Sequence, residues 1–221
     1  MLTFAAVIDR FSDARHDVWH HAKKMWEQGL VVASAGNVSR RIDDRLIAIT
    51  PTSIPYDTMR SDEVVVVSLE SGEALESSRK PSYELPLHLA LYRGREDIGA
   101  VVHTHAPFVT TLSVLRRKLP PVIDEMMLYF GGTIEVADYA FTGTPEVGRN
   151  VLRVLGDRSG AILSNHGNVC VGRDLESALH VAITMESAAR VYVQALSLGY
   201  PKPIPESAIR AGRKLFDERR R

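Results

Sequence analysis

Two histidines separated by one residue, His103 and His105, lie in the segment AVVHTHAP over 100–107. Side chains two positions apart on a β-strand point to the same face, and their backbones are about 7 Å apart along the strand. Both imidazoles would then reach one ion, because histidine nitrogens bind zinc at about 2.0–2.1 Å. A pair of polar residues at a strand end is the alternative explanation, so a metal site requires further ligands.

Two residues elsewhere in the chain are candidates for the third and fourth ligands. His166, in SNHGN, follows the apolar stretch AIL and is therefore predicted at another strand end. Glu84, in KPSYELPLHL, opens a predicted helix, where a carboxylate also complements the positive end of the helix dipole. His88 lies one turn after Glu84 on an otherwise apolar helix, and we predict a buried core histidine there rather than a ligand.

Small residues on three predicted turns are suited to binding phosphate through backbone N–H groups and hydroxyls. These residues are Gly36, Asn37, Thr52, Ser53 and Ser82. Each of them is by itself more typical of an ordinary turn. A phosphate site is therefore a hypothesis that no single one of these residues establishes.

Hydrophobic periodicity predicts how the chain positions these side chains. The predicted helices cover 4–30, 84–92, 108–115, 145–155, 174–196 and 206–219, and the predicted strands cover 46–50, 64–69, 98–104 and 161–164. Thr144 and Asp174 are the expected N-caps of their helices. Helices and strands do not alternate regularly, so we expect one α/β sandwich over 1–221 with a largely antiparallel sheet.

Composition excludes several classes of partner. The 221 residues are 45% hydrophobic and 24% charged, with 27 Lys and Arg against 27 Asp and Glu. A net charge of zero provides no basic field for nucleic acid, and no apolar run approaches the ~20 residues that span a bilayer. The single cysteine, Cys170, excludes an internal disulfide, so we expect a cytoplasmic protein that contacts neither nucleic acid nor membrane.

Five motifs, in this order, resemble the class II aldolase/adducin family, and most of all its enzymes of the L-fuculose-1-phosphate aldolase type. They are ASAGNVSRR, ITPTSIPYDTM, KPSYELPLHLALY, AVVHTHAP and LSNHGNVCVGRDLESAL. The resemblance implies a three-layer α/β/α sandwich around a mainly antiparallel central sheet, and a homotetramer with active sites between subunits. It also implies a carbon–carbon lyase that uses zinc to cleave a ketose 1-phosphate into dihydroxyacetone phosphate and an aldehyde.

The resemblance assigns roles to individual residues. It implies that the zinc ligands are Glu84, His103, His105 and His166, and that the phosphate-binding positions are Gly36, Asn37, Thr52, Ser53 and Ser82. Glu84 is also the implied catalytic residue, which leaves the metal when substrate binds and then moves the proton at C3. Manganese or cobalt would suit the same four side chains, because imidazole and carboxylate bind several divalent ions.

The chain departs from the fuculose pattern at several positions. Tyr83 replaces the second phosphate serine, and Ser53 stands where glycine is usual. Glu125 occupies the position of a catalytic tyrosine that the family contributes across the subunit interface, and Tyr129 is the alternative if this segment is helical. We take Glu125 as the second candidate acid, which requires a raised pKa.

Two other functions remain open. Relatives with the same metal site act as decarboxylases, dehydratases or epimerases of sugar phosphates, and the metal ligands do not discriminate among these reactions. A non-catalytic module of the adducin type is the least expected function, because all four ligand positions are filled in this chain.

Overall fold

The computed structural model describes residues 10–75 and 79–220. The strands are β1 (Asn37–Arg41), β2 (Leu46–Ile49), β3 (Val65–Ser68), β4 (Ala74–Leu75), β5 (Ala100–Thr104), β6 (Val136–Ala137), β7 (Gly160–Leu163) and β8 (Gly167–Gly172). The helices are α1 (Ser12–Glu27), α2 (Leu85–Gly94), α3 (Pro107–Val114), α4 (Glu125–Tyr129), α5 (Pro145–Leu155), α6 (Leu175–Leu198) and α7 (Glu206–Arg220). Among the described helices, none combines the length and apolar composition that a membrane span requires.

The eight strands form one sheet in the order β4-β3-β2-β1-β5-β8-β7-β6. Six of the neighbouring pairs are antiparallel, and β6 with β7 is the parallel one in the described chain. The central strand β5 pairs with β1 so that Asn37 lies opposite His103, and with β8 so that Val169 lies opposite His103. The largely antiparallel sheet expected from the sequence is confirmed.

Helices cover both faces of this sheet, because alternate strand residues supply two separate hydrophobic cores. Along β5, Ala100 and Val102 belong to the core formed with α1, α3 and α6. Val101 belongs to the opposite core, formed with α2 and α5. The three-layer α/β/α sandwich is therefore confirmed, and the side chain of His103 lies on the α2 and α5 face because it alternates with Val102.

The structure differs from the predicted elements at several places. Helix α1 begins at Ser12 and ends at Glu27, whereas the prediction ran from 4 to 30, and Phe4 lies outside the described residues. The chain leaves the helix through Gly29, whose φ of 70° places it in the left-handed region. Strand β8 was not predicted, because glycines at both of its ends and the polar Asn168 interrupt the apolar pattern that marks a strand.

The two predicted N-caps give a test of the local sequence signals. Asp174 accepts a hydrogen bond from the Ser177 backbone N–H at 2.8 Å, as a capping residue does. Thr144 occupies the N-cap position of α5, but its hydroxyl donates to the Phe141 carbonyl instead.

We expect Asp174→Ala to lower the free energy of unfolding by about 1 kcal/mol, and Thr144→Ala to lower it by less than half as much. Urea denaturation measures both, and equal losses would contradict the difference in capping.

Candidate metal centre

The structure brings together the four side chains that the sequence proposed as ligands. One ligand atom from each of Glu84, His103, His105 and His166 lies within 4.8 Å of the others. His103 Nε2 is 3.0 Å from Glu84 Oε2 and 3.0 Å from His105 Nε2, and His166 Nε2 is 3.2 Å from Glu84 Oε1. Three imidazoles and one carboxylate facing a common point fit a divalent metal ion.

Strand alternation positions the first two histidines. His103 and His105 are separated by Thr104, whose hydroxyl turns to the other face and donates to Asn168 Oδ1 at 2.6 Å. The Nδ1 atom of His103 donates to the Asn168 carbonyl oxygen at 2.8 Å. This bond fixes the ring and leaves Nε2 directed at Glu84, as is usual for a histidine that binds a metal.

His166 comes from the turn that joins β7 to β8. The preceding residue, Asn165, has a φ of 57° and its backbone N–H donates to the Ser113 carbonyl of α3. The following residue is Gly167, where an added Cβ would lie 2.3 Å from the Thr104 carbonyl oxygen. Glycine is therefore required after His166, because β8 approaches the end of β5 at the site itself.

Glu84 immediately precedes α2, where its backbone N–H donates to the Ser82 hydroxyl at 3.2 Å. Both carboxylate oxygens also receive a hydrogen bond from outside the histidine group. Asn37 Nδ2 donates to Oε2 at 2.8 Å, and the Thr142 hydroxyl donates to Oε1 at 2.6 Å. Sequence reasoning missed Thr142, because it lies in a turn-rich segment 58 residues away in the chain and has no motif around it.

Burial and the pairing of Glu84 with His103 set the protonation states in the group, and a proton on His103 would leave when a metal binds. Burial alone would raise the pKa of Glu84, but the charges on His103 and His166 and the Thr142 hydrogen bond lower it below its usual range. Burial and the charge on His103 lower the pKa of His105 to about 3 and that of His166 to about 4. Burial also acts to lower the pKa of His103, but the Glu84 carboxylate outweighs it and raises that pKa. Near neutral pH the site holds a carboxylate and neutral imidazoles at His105 and His166, which metal binding requires.

The three turns proposed for phosphate lie beside this group. An isolated β-bridge between Pro51 and Pro81 joins the turn after β2 to the segment before α2. Ser82 N–H donates to the Thr50 carbonyl, and the hydroxyls of Thr52 and Ser53 are 3.5 Å apart. The remaining pair, Gly36 and Asn37, stands at the start of β1, opposite His103. The structure thus brings all five residues to one end of the sheet, and their role in phosphate binding stays a prediction.

Backbone conformation explains two of these turn positions. Gly36 has a φ of 72°, and a Cβ added there would lie 2.6 Å from the His103 carbonyl oxygen. Ser53 has a φ of 60°, which is also in the left-handed region. Glycine adopts this region without a steric penalty, which gives a physical reason why glycine is usual at the position of Ser53.

The residues that depart from the fuculose pattern lie outside the ligand group. Glu125 is exposed on the first turn of α4, a helix that packs against α6 and α7. Tyr129, on the last turn, packs its ring against His180 at 4.4 Å. Tyr83 is 59% exposed and lies against Gly143, where its ring occupies the space of a Cβ. This chain does not bring Glu125 to its own ligand group, and its catalytic role stays a prediction.

Comparison with known proteins identifies the class of protein that this fold and site define. The family described as Class II Aldolase and Adducin N-terminal domain matches residues 16–193, and the chain belongs to this family. The chain is 35% identical over 204 residues to 5-deoxy-D-ribulose 1-phosphate aldolase of Bacillus thuringiensis serovar kurstaki. The aligned region covers 92% of this chain and 95% of that protein.

Two further comparisons agree with this assignment. The chain is 35% identical over 191 residues to 5-methylthioribulose-1-phosphate/5-deoxyribulose-1-phosphate aldolase of Rhodospirillum rubrum, covering 86% of this chain and 85% of that protein. A solved structure of L-fuculose 1-phosphate aldolase matches with a TM-score of 0.88 and 30% identity, covering 93% of this chain and 97% of that one. The protein is accordingly an enzyme of the aldolase class, a carbon–carbon lyase, as its motifs indicated.

Removal of one imidazole tests the metal centre. We expect His166→Ala to weaken zinc binding by at least tenfold, because the remaining ligands leave one coordination position to water. The control is His20→Ala, which removes an exposed histidine of α1 outside the group. Zinc affinity is measured by competition with a chromophoric chelator, with circular dichroism to confirm folding. Equal zinc affinities in the two folded variants would exclude His166 as a ligand.

Proposed function

We propose that the protein is a zinc-dependent class II aldolase that cleaves a ketose 1-phosphate of the fuculose or ribulose type. The products are dihydroxyacetone phosphate and an aldehyde. The observation that carries this proposal is the group of Glu84, His103, His105 and His166, with phosphate-suited turns beside it. The names of the relatives support the substrate class, since they include aldolases of 5-deoxyribulose 1-phosphate and fuculose 1-phosphate.

The chemistry of the reaction assigns tasks to the residues. In cleavage, the C4 hydroxyl loses its proton, the C3–C4 bond breaks, and C3 then receives a proton. A divalent metal at this site supplies Lewis-acid stabilisation of the negative charge that develops on the carbonyl oxygen. Glu84 is ionised and lies among the ligands, so we assign to it the proton at C3, taken up in condensation and returned in cleavage.

The second proton transfer, at the C4 oxygen, is assigned to Glu125. Because Glu125 is exposed on α4 outside its own chain's ligand group, it would act in the site of a neighbouring subunit. This assignment requires an oligomer, and we propose a homotetramer with sites between subunits. Light scattering after gel filtration measures the assembly.

The phosphate turns orient the substrate by its non-reacting end. The hydroxyls of Thr52, Ser53 and Ser82 lie on turns near the ligand group, and Gly36 and Asn37 stand beside them at the start of β1. Hydroxyls and backbone N–H groups of such turns bind phosphate. Zinc is the proposed metal because three imidazoles and one carboxylate suit it, and manganese or cobalt are the alternatives that reconstitution would reveal.

A product assay tests the reaction directly. Zinc-loaded protein is offered 5-deoxyribulose 1-phosphate, 5-methylthioribulose 1-phosphate and fuculose 1-phosphate, with dihydroxyacetone phosphate release coupled to NADH oxidation. We expect release from at least one of them, and a loss of at least 100-fold in kcat for Glu84→Gln, which removes the proton carrier. If zinc is bound and no dihydroxyacetone phosphate appears, the aldolase proposal fails in favour of a decarboxylase, dehydratase or epimerase of a sugar phosphate.

Ser53→Gly tests the phosphate turn without disturbing it, because glycine adopts the left-handed conformation of Ser53. We expect the KM for the sugar phosphate to rise about 3- to 10-fold with kcat nearly unchanged, as loss of about 1 kcal/mol of substrate binding predicts. The control is Thr58→Ala, which removes an exposed hydroxyl five residues further along. A KM that is the same in both variants would exclude the Ser53 hydroxyl as a phosphate ligand.

A further inference from the structure

A line of buried polar side chains leads away from the metal centre between α2 and β1. His88 and Tyr92 are four residues apart and lie on one face of α2, and Glu84 precedes the helix four residues before His88. Asn37 and Ser39 are two residues apart on β1 and face that helix. His88 and Ser39 are fully buried, and Asn37 and Tyr92 are 3% and 2% exposed. The line therefore lies inside a core that is otherwise apolar.

The hydrogen bonds along this line have one direction. A carboxylate only accepts, so Asn37 must present Nδ2 to Glu84 Oε2, at 2.8 Å. Its Oδ1 must then accept, and the donor is His88 Nε2 at 2.5 Å. A neutral His88 carries its one proton on Nε2, and its Nδ1 accepts from the Ser39 hydroxyl at 2.6 Å. The Tyr92 hydroxyl donates in turn to Ser39 Oγ at 2.9 Å.

The orientation of the Asn37 amide decides whether Glu84 Oε2 faces a hydrogen-bond donor or an acceptor. In the reverse orientation, Oδ1 would face Glu84 Oε2, and two acceptors would repel each other in a buried site. His88 prevents this reversal because its Nε2–H requires an acceptor, and Oδ1 is the acceptor that Asn37 presents to it. His88 thus supports a hydrogen bond to the metal centre although it does not touch Glu84.

The other oxygen of Glu84 is held differently. Its donor, Thr142, is half-buried and lies between β6 and α5, outside any helix or strand. Asn37, by contrast, is anchored on a central strand and bonded to a fully buried histidine. The buried line therefore links the carboxylate to the sheet through a residue that is not one of the proposed metal ligands.

We propose that His88 is a positioning residue of the reaction, which holds Asn37 so that the Glu84 carboxylate is fixed for metal binding and for proton transfer. This inference rests on the proposed function, since it takes Glu84 as a metal ligand and proton carrier. It gives Asn37 a second task beside phosphate binding, because its side-chain amide is directed at Glu84.

Two substitutions at His88 separate positioning from simple core packing. His88→Gln places an amide N–H near the position of Nε2, and so retains a donor for Asn37. His88→Asn retains an acceptor near Nδ1 for Ser39, but loses the donor for Asn37. We expect His88→Gln to bind zinc within about threefold of the unaltered protein, and His88→Asn to bind it about 10- to 100-fold more weakly.

Kinetic and spectroscopic measurements distinguish a positioning role of His88 from a merely structural one, which would not change them. In His88→Asn we expect kcat to fall by a larger factor than the KM for the sugar phosphate rises, since Gly36, Thr52, Ser53 and Ser82 are unaltered and only the Asn37 amide loses its partner. The d–d absorption of the cobalt-substituted enzyme should change in His88→Asn and remain similar in His88→Gln. If His88→Asn does not fold, Ser39→Ala is the second variant, because it removes the donor to Nδ1 and should weaken zinc binding about 3- to 10-fold.

The outcomes distinguish this inference from the proposed function. If the unaltered protein binds no zinc, cobalt or manganese, the metal-centre proposal fails. If it binds zinc and folded His88→Asn, or Ser39→Ala in its place, matches it in affinity and cobalt spectrum, the positioning role of His88 is overturned. Equal losses in His88→Gln and His88→Asn would also overturn it, because the donor to Asn37 would then make no difference.

Discussion

The negative charge of the Glu84 carboxylate is the constraint on which the arrangement of this site depends. A buried carboxylate is costly unless charges and hydrogen bonds compensate for its lost hydration. Here the Glu84 carboxylate is contacted by nitrogen or hydroxyl atoms of four side chains, namely His103, His166, Asn37 and Thr142. These partners come from β1, β5, the β7–β8 turn and the segment before α5. The carboxylate therefore contacts four segments that are distant from one another in the chain.

The antiparallel sheet makes this convergence possible. Strand β5 lies between β1 and β8, so its carboxyl end meets the start of both neighbours. His103 on β5 and His105 directly after it therefore lie between Asn37 on one side and the turn of His166 on the other. Close backbone approach at this end requires Gly36 and Gly167, where a Cβ would overlap carbonyl oxygens of β5. The same sheet end also holds the turns suited to phosphate, so the reacting and anchoring parts of a substrate would bind to one rigid support.

The family relationship and the geometry support different parts of the functional account. The match over residues 16–193 establishes the class of enzyme, while the ligand group shows that this chain retains the side chains that metal-dependent chemistry requires. The departures from the fuculose pattern, at Tyr83 and Glu125, lie outside that group. Any difference in substrate from the fuculose enzymes is thus expected to arise at these positions rather than at the ligand group.

Much of this site was predictable because its signals are local. The alternation of His103 and His105, and the place of Glu84 at a helix start, follow from strand and helix periodicity, and the ordered motifs indicated the family. The links from Glu84 to Thr142 and from Asn37 to His88 were not predictable, since hydrogen bonds between residues 58 and 51 positions apart leave no local pattern. Strand β8 was not predicted for a related reason. Its polar and glycine residues form a strand because β5 and β7 pair with them. Short-range periodicity is encoded in neighbouring residues, whereas the partners of a buried polar group are selected by packing across the sheet.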